Sequence, residues 1–363
     1  MRVKIVLLLG VVALSGCAPT TKWAVGDSSL VAAEREKQMD MAFEMQMNEQ
    51  CRLTDVASTV LVGAIDLCGE KVRPIVGIIW FSKDELKGPM REAAIKRYNL
   101  TEKKLVVVDA GKNWPAYKAG VRINDQVLSI NGSMVTSMRQ SAEIMQDAVK
   151  DKERWPINII VQRESKEISY AITPQLSCEY PVGLVAQDVV NAYADGNKIF
   201  VTRGMMRFIN DDRELAMVIS HELAHNIMGH IDKKKGNRLL GAIVDGVAAA
   251  YGVRTNGAFG NAAGSAYSQD FEMEADYVGL YAMARSGQVI TDAANFWRRM
   301  GAANPGSIQE QKGYFSSHPS SPERFVAIDK AVAEIKAKKA AGKPIIPEMK
   351  AEQASTVAEK PVE

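Results

Sequence analysis

Between residues 30 and 67 apolar side chains recur at helical spacing, as at Val56, Val60 and Ala64, with no proline and one glycine, Gly63. Positions three or four apart share a helix face, so this stretch predicts one long helix or two in series. Met39, Met41, Met45 and Met47 read as soft packing on it. Residues 71–175 change period. Strand-like runs fall at 75–80, 105–108, 126–130 and 157–161, with another near 168–172. Asn131-Gly132 sits between apolar runs and predicts a tight turn, because both residues tolerate positive φ. Residues 137–149 read as a helix. Beyond 179 the pattern gives two strand-like runs around 192–196. A helix then opens at Asp211, with Glu214 at capping-box spacing. Residues 239–253 are apolar but too short to span a bilayer, and suit a lid or packed hairpin, or contact with a membrane surface. The Gly/Ala/Asn-rich run 255–268 predicts a mobile loop. A helix follows from about Ser268 to Gly287, and another from Pro322 at its first position to near Gly342. The tail from Lys343, charged and with three prolines, predicts disorder. The pattern is α+β: a mainly helical domain with a small edge-exposed β-sheet, plus a β-rich domain.

The 363 residues argue for about two domains. A net charge of +2 with acids and bases balanced gives no footprint for nucleic acid. The first residues belong to no fold. Arg2 and Lys4 precede the apolar run 5–14, which is about the length of a signal-peptide core. It ends in Leu14-Ser15-Gly16-Cys17, which resembles a bacterial lipobox, where the cysteine thiol is acylated. Ala18 after it favours, by that resemblance, the outer over the inner membrane. Loss of residues 1–16 removes two cations and leaves the mature chain about neutral. Export permits disulfides. Of Cys51, Cys68 and Cys178 not all can pair; Cys68 and Cys178 flank the β-rich segment, and a bridge between them would tie its two ends. The alternative is three free, buried thiols.

Three of the four histidines lie in Ser220-His-Glu-Leu-Ala-His-Asn-Ile-Met-Gly-His230. His221 and His225 are i and i+4 on one helix face and can reach one zinc ion, with Glu222 about 100° round the helix and able to reach a water there. Zinc brings the pKa of such a water to about 7, and the carboxylate takes its proton as it attacks a carbonyl. On a continuous helix His230 stands about 140° from the metal face, which makes it a supporting residue and not a ligand. A third ligand must come from Asp270, Glu272, Glu274 or Asp276. Glu272 and Asp276 share a stripe with Leu280 and Met283 and face the core. Glu274 shares one with Tyr277, Tyr281 and Arg285 and is expected to look outward. Glu272 is then the ligand, and Asp276 braces a ligand histidine from behind.

Two resemblances add to this. The stretch with Pro115-Ala116, Ala119-Gly120, Asp125, Ile130-Asn131-Gly132 and Val135 resembles a PDZ domain of the kind attached to bacterial proteases. Asn124 stands where that pattern has glycine, and asparagine tolerates the left-handed turn. Helix 137–149 would line its peptide groove, with Val76-Gly77-Ile78-Ile79 as the carboxylate-binding loop. HExxH followed by ExxxD, with Asn191-Ala192 before and His318-Pro319…Arg324 after, resembles the CaaX-prenyl-protease type of zinc endopeptidase, in its soluble periplasmic lipoprotein branch. The resemblance implies a zincin-type domain with one Zn2+ per chain on His221, His225 and Glu272, Glu222 as general base and Asp276 behind the ligands. It also implies that Asn191 holds substrate backbone beside an edge strand at 198–202. His318 has two possible roles: donating a hydrogen bond to the oxyanion, the reading preferred from sequence, or filling the fourth zinc position.

The expected organisation is a lipoprotein signal peptide at 1–16, anchor, tether and helix at 17–70, a PDZ-like domain at 71–175, the metallopeptidase domain at 176–335, and a helix end with disordered tail at 336–363. The expected function is an envelope endopeptidase acting on unfolded or misassembled envelope proteins. It would be lipid-anchored at Cys17 to the outer membrane of a Gram-negative bacterium and face the periplasm, with outer-membrane proteins as partners through the PDZ-like domain. The alternative is a non-catalytic adaptor or chaperone lipoprotein.

Overall fold

The computed structural model of the chain describes residues 21, 26–250, 253–265, 268–303, 318 and 321–349. The signal segment, Cys17, Pro319 and residues 350–363 lie outside them.

Helix α1 (Ser28–Gly63) is one unbroken helix capped by Asp27, whose side chain accepts from Ser29 N. It serves two cores. Phe43 packs with Ala93, Ala94, Tyr98, Leu100, Val106 and Val108, while Leu53 to Ala64 sit in the largest core with the helices of the second half. Of the four methionines, Met47 packs inward but Met41 and Met45 are exposed. The predicted run 75–80 is two strands, not one. β1 (Val72–Ile75) pairs with β8 (Gln175–Cys178), and β2 (Ile79–Phe81) belongs to another sheet. Between them α2 (Arg91–Tyr98), β3 (Leu105–Asp109), α3 (Pro115–Ala119), β4 (Gln126–Ile130), β5 (Ser133–Met134), α4 (Met138–Lys150), β6 (Ile157–Arg163) and β7 (Lys166–Ile172) build the β-rich domain. Its sheet runs β2-β3-β4-β6-β7, with β5 hairpinned to β4 through Asn131-Gly132, both at positive φ. Asn124 takes φ 72°, the left-handed turn expected of it. Asp125, fully buried, holds Arg163 through two hydrogen bonds of 2.6 and 2.7 Å.

The β1–β8 ribbon is the neck of this insert, and a Cys68–Cys178 disulfide closes it, with Cα atoms 5.7 Å apart. Cys51 is free and half-buried; burial, with Asp109 and Asp55 near, pushes its thiol up to about 11. Because the bridge closes a loop of 110 residues, Cys68→Ser and Cys178→Ser are expected to destabilise alike, each by about 2–4 kcal/mol. Chemical denaturation reads the loss. Non-reducing peptide mapping that found Cys51 in a bridge would contradict the pairing.

The second half is mainly helical around a three-stranded sheet of β9 (Val182–Val185), β10 (Ala192–Ala194) and β11 (Ile199–Thr202) in the order β10-β11-β9. β11 is therefore central, not the expected edge: β9, unforeseen from its mixed pattern, pairs with it in parallel, and β10 and β9 are the two edges, β10 beside the helix that carries His221 and His225. After α5 (Arg203–Phe208) come α6 (Asp212–Ile227), α7 (His230–Ala250), α8 (Ala258–Ser265), α9 (Ser268–Arg285), α10 (Ala293–Ala303) and α11 (Pro322–Ala340). The run expected as a mobile loop forms α8, which folds back on α7. The tail is not free along its whole length. Ile345 packs on the core, Arg285 donates to its carbonyl, and Glu348 N donates to Tyr277 Oη. No described helix is long and apolar enough to cross a membrane.

Candidate metal centre

α6 begins where its sequence says it should. Asp211 accepts from Glu214 N at 2.9 Å, and Glu214 reaches back to Asn210 N at 2.8 Å. From Glu214 to Asn226 every residue is buried, so the helix runs through the core with its histidines inside. α9 crosses close by, and Gly279 permits it: a Cβ there would stand 3.0 Å from Ser220 O and 3.1 Å from His221 Cα. The approach carries Glu272 to the histidines.

Ligand atoms of His221, His225, Glu272 and His318, all buried, lie within 4.8 Å of one another. Nε2 of His221 and His225 are 3.2 Å apart, and they stand 3.3 and 3.4 Å from the Glu272 carboxylate. His318 comes from beyond α10, and its Nδ1 lies 2.9 Å from Glu272 and 3.3 Å from His221 Nε2. It therefore stands among the ligand atoms themselves. His318 Nε2 is 3.4 Å from Glu222 Oε1. Neither oxygen of Glu222 nor Oε1 of Glu272 has a hydrogen-bond partner, although all are buried. Imidazole and carboxylate donors crowded in a dry site, with carboxylate oxygens left unmatched, are the donor set that suits a zinc ion.

The two carboxyls differ. Burial pushes Glu222 above its ordinary range. Burial also opposes charge on Glu272, but His318 and hydrogen bonds from His221, His225 and His318 outweigh it and hold the group well below that range. Such a pair separates a permanent anion, fit to be a ligand, from a group able to take up a proton.

Each ligand histidine is held from behind. His221 Nδ1 lies 2.9 Å from Asp276, and Arg324 donates to the same carboxylate at 2.8 and 3.0 Å. Burial disfavours charge on His221, yet Asp276 and Glu272 lift it to about 9; metal binding displaces such a proton. His225 is braced differently. His230 Nε2 donates to Glu274 at 2.7 Å, so its Nδ1 accepts from His225 Nδ1 at 2.8 Å. That leaves the lone pair of His225 on Nε2, toward Glu272. Burial pulls both rings down, His225 to about 3, which keeps them neutral.

This arrangement corrects the sequence reading of Glu274. α6 ends at Ile227, and Gly229 at φ +64° turns the chain, so His230 opens a new helix and swings back to His225. Helix phase cannot be carried across that break. Nor does the stripe of Glu274 look outward. Tyr281 is fully buried and Tyr277 partly so, and both donate to Glu334 of α11. Glu274→Ala and His230→Ala are each expected to weaken metal binding by about 10–100-fold, as removal of groups behind ligands does. Metal titration with a competing chelator checks this; wild-type affinity in both variants would contradict the relay.

Asn191 opens β10. Its backbone N–H donates to Thr202 Oγ1 at 3.1 Å, and its side-chain oxygen is buried without a partner. The sequence reading did not give Arg324 its place behind Asp276, nor Trp297 its place beside His221, ring centroids 5.1 Å apart. For Arg324 the available signal was its place in the His318-Pro319…Arg324 pattern.

Residues 160–332 match Peptidase family M48, and residues 106–154 match the PDZ domain. The Mitochondrial metalloendopeptidase OMA1 of Schizosaccharomyces pombe is 28% identical over 189 residues, covering 51% of this chain and 56% of its own. The Metalloprotease YcaL of Escherichia coli is 30% identical over 153 residues, 40% of this chain and 59% of its own. The Beta-barrel assembly-enhancing protease of Yersinia pestis is 26% identical over 211 residues, 54% of this chain and 40% of its own. The chain spans about half the length of these curated relatives. The buried cluster of His221, His225, Glu272 and His318 falls inside the residues that match Peptidase family M48, and the residues that match the PDZ domain precede it.

Proposed function

We propose that the chain is a zinc endopeptidase of the bacterial cell envelope that cuts unfolded or misassembled envelope proteins. The observation that carries this reading is the buried set of His221, His225 and Glu272 with the Glu222 carboxyl beside it, raised by burial. A zinc ion held by the three would supply the Lewis acid for an attacking water and a scissile carbonyl. Glu222 takes the proton of that water and returns it to the leaving amine. Asp276 with Arg324, and His230 with Glu274, keep the two imidazoles turned to the metal. Asn191 and the edge strand β10 hold the substrate backbone, since an edge offers unpaired N–H and C=O groups.

A cleft of about 740 Å³ runs between α4, the loop around Gly77, α1 and β9. It is the peptide site of the PDZ domain, and it would recruit substrate to the peptidase domain behind it. The Cys68–Cys178 bridge suits an oxidising compartment. A lipid on Cys17 would hold the chain to the outer membrane on its periplasmic side. The relative from Yersinia pestis, by its name, enhances β-barrel assembly, which agrees with outer-membrane proteins as clients. The rival reading is an adaptor that binds such clients without cutting.

His318 is better placed to fill the fourth metal position than to wait for an oxyanion, because its Nδ1 lies among the ligand atoms. It then acts as a latch that substrate must displace. His318→Ala is expected to raise basal cleavage of an unfolded protein with zinc retained. An oxyanion donor would instead cost about 10²–10³ in rate on removal. A slowed variant overturns the latch.

A further inference from the structure

α7 and α8 form a hairpin inserted between the two helices that hold the metal ligands. His230 is its first residue, and Glu272 follows it at the head of α9. α8 covers one side of α7: Asp245 accepts from Phe259 N at 3.2 Å, and Arg238 donates to Asn261 at 3.0 Å. The other side carries Leu239, Leu240, Ile243, Val244 and Val247, exposed by 48–65%. At 100° per residue these five fall within a sector of about 140°, one continuous apolar face. Phe259 and Val253 add exposed apolar area at the same end.

The composition of this face says what it meets. Its five residues are all aliphatic. Protein-binding faces concentrate Trp, Tyr and Arg as anchors, and none of these stands among the five. The charge beside it is net positive: from His230 to Arg254 there are five cations and two acids, Asp232 and Asp245. An aliphatic face with lysines gathered a turn away is the pattern of a helix lying in a bilayer interface with anionic headgroups. α7 is too polar along its first turns to cross a membrane and is not long and apolar enough to do so.

We infer that the α7–α8 hairpin is a membrane-docking element that lays its Leu239–Val247 face on an anionic lipid surface. The apolar sector begins about 15 Å along α7 from His230, so docking sets the metal site near the bilayer surface. The inference rests on the endopeptidase reading only for its consequence: the substrates are polypeptides presented at that surface rather than in free solution.

The test uses the full chain with an environment-sensitive dye on Ile243→Cys, and on Lys166→Cys at the start of β7 as control. Dye taken up by the chain without a new cysteine is subtracted; Cys51, half-buried with its thiol raised, should take little. With vesicles of phosphatidylcholine and phosphatidylglycerol, emission from position 243 should shift to the blue and be quenched by nitroxide-labelled lipid, while position 166 stays water-like. Replacing Lys234 and Lys235 by glutamine, or omitting phosphatidylglycerol, should weaken the response about tenfold or more. Water-like emission at 243 in both lipids overturns the inference. So does a blue shift without vesicles, which would place a second copy or another segment of this chain on the face. The readout needs no peptidase activity, so a chain that docks but cuts nothing refutes the enzyme reading alone.

Discussion

Glu222→Gln should abolish cleavage of an unfolded protein, slowing it by about a hundred- to ten-thousand-fold or more, while metal content and thermal midpoint stay at wild-type values. The amide has the size and shape of the carboxylate it replaces, and the site around it is fully buried, so packing is preserved. What is lost is the capacity to accept a proton. Burial raises the Glu222 carboxyl above its ordinary range, whereas Glu272 and Asp276 are both held down. Retention of metal distinguishes this outcome from simple disruption of the site. Turnover near wild type would mean that another group is the base.

Glu272→Ala should have the other large effect, on the metal itself. Three protein ligands hold such a site, and Glu272 is the only anion among the four buried candidates. Its removal leaves His225, His221 and His318 facing one another without the carboxylate that gathers them. Metal affinity is expected to fall further than the roughly 10–100-fold predicted for Glu274→Ala and His230→Ala, which remove support and not a ligand. Elemental analysis of the dialysed variants gives the order directly. Equal retention in Glu272→Ala and Glu274→Ala, or the reverse order, would contradict the placement of α9.

The histidine helix was readable because its information is local. Positions i and i+4 share a face whatever the rest of the chain does, and the Asp211–Glu214 cap fixes where that helix starts. Asn131-Gly132 and Asn124 were readable for the same reason, since their φ values follow from residue type. The α+β class followed from the change of period. What failed depends on long-range pairing. β11 became central because β9 joined it in parallel, and a strand of mixed polarity gives no notice of its partner. Glu274 was misplaced because its stripe on α9 packs against α11 and not solvent, and because the turn at Gly229 brings His230 to it, a pairing that helix phase alone does not show. The loop expected at 255–268 is a helix because it packs back on α7, with Asp245 and Arg238 bonded to it, a tertiary gain that overrides low intrinsic propensity.

The central claim is that the cluster of His221, His225 and Glu272 binds zinc and that this zinc-loaded site cuts polypeptide chains. One measurement addresses it directly: digestion of an unfolded protein by the chelator-stripped chain before and after adding back one equivalent of zinc, with fragments identified by mass spectrometry and His318→Ala run alongside so that a latched site is not mistaken for an inert one. The account predicts no cleavage when stripped, internal cleavage on addition of zinc, and more of it in His318→Ala. Cleavage that persists without metal, or a fully zinc-loaded His318→Ala chain that cuts nothing, would contradict it.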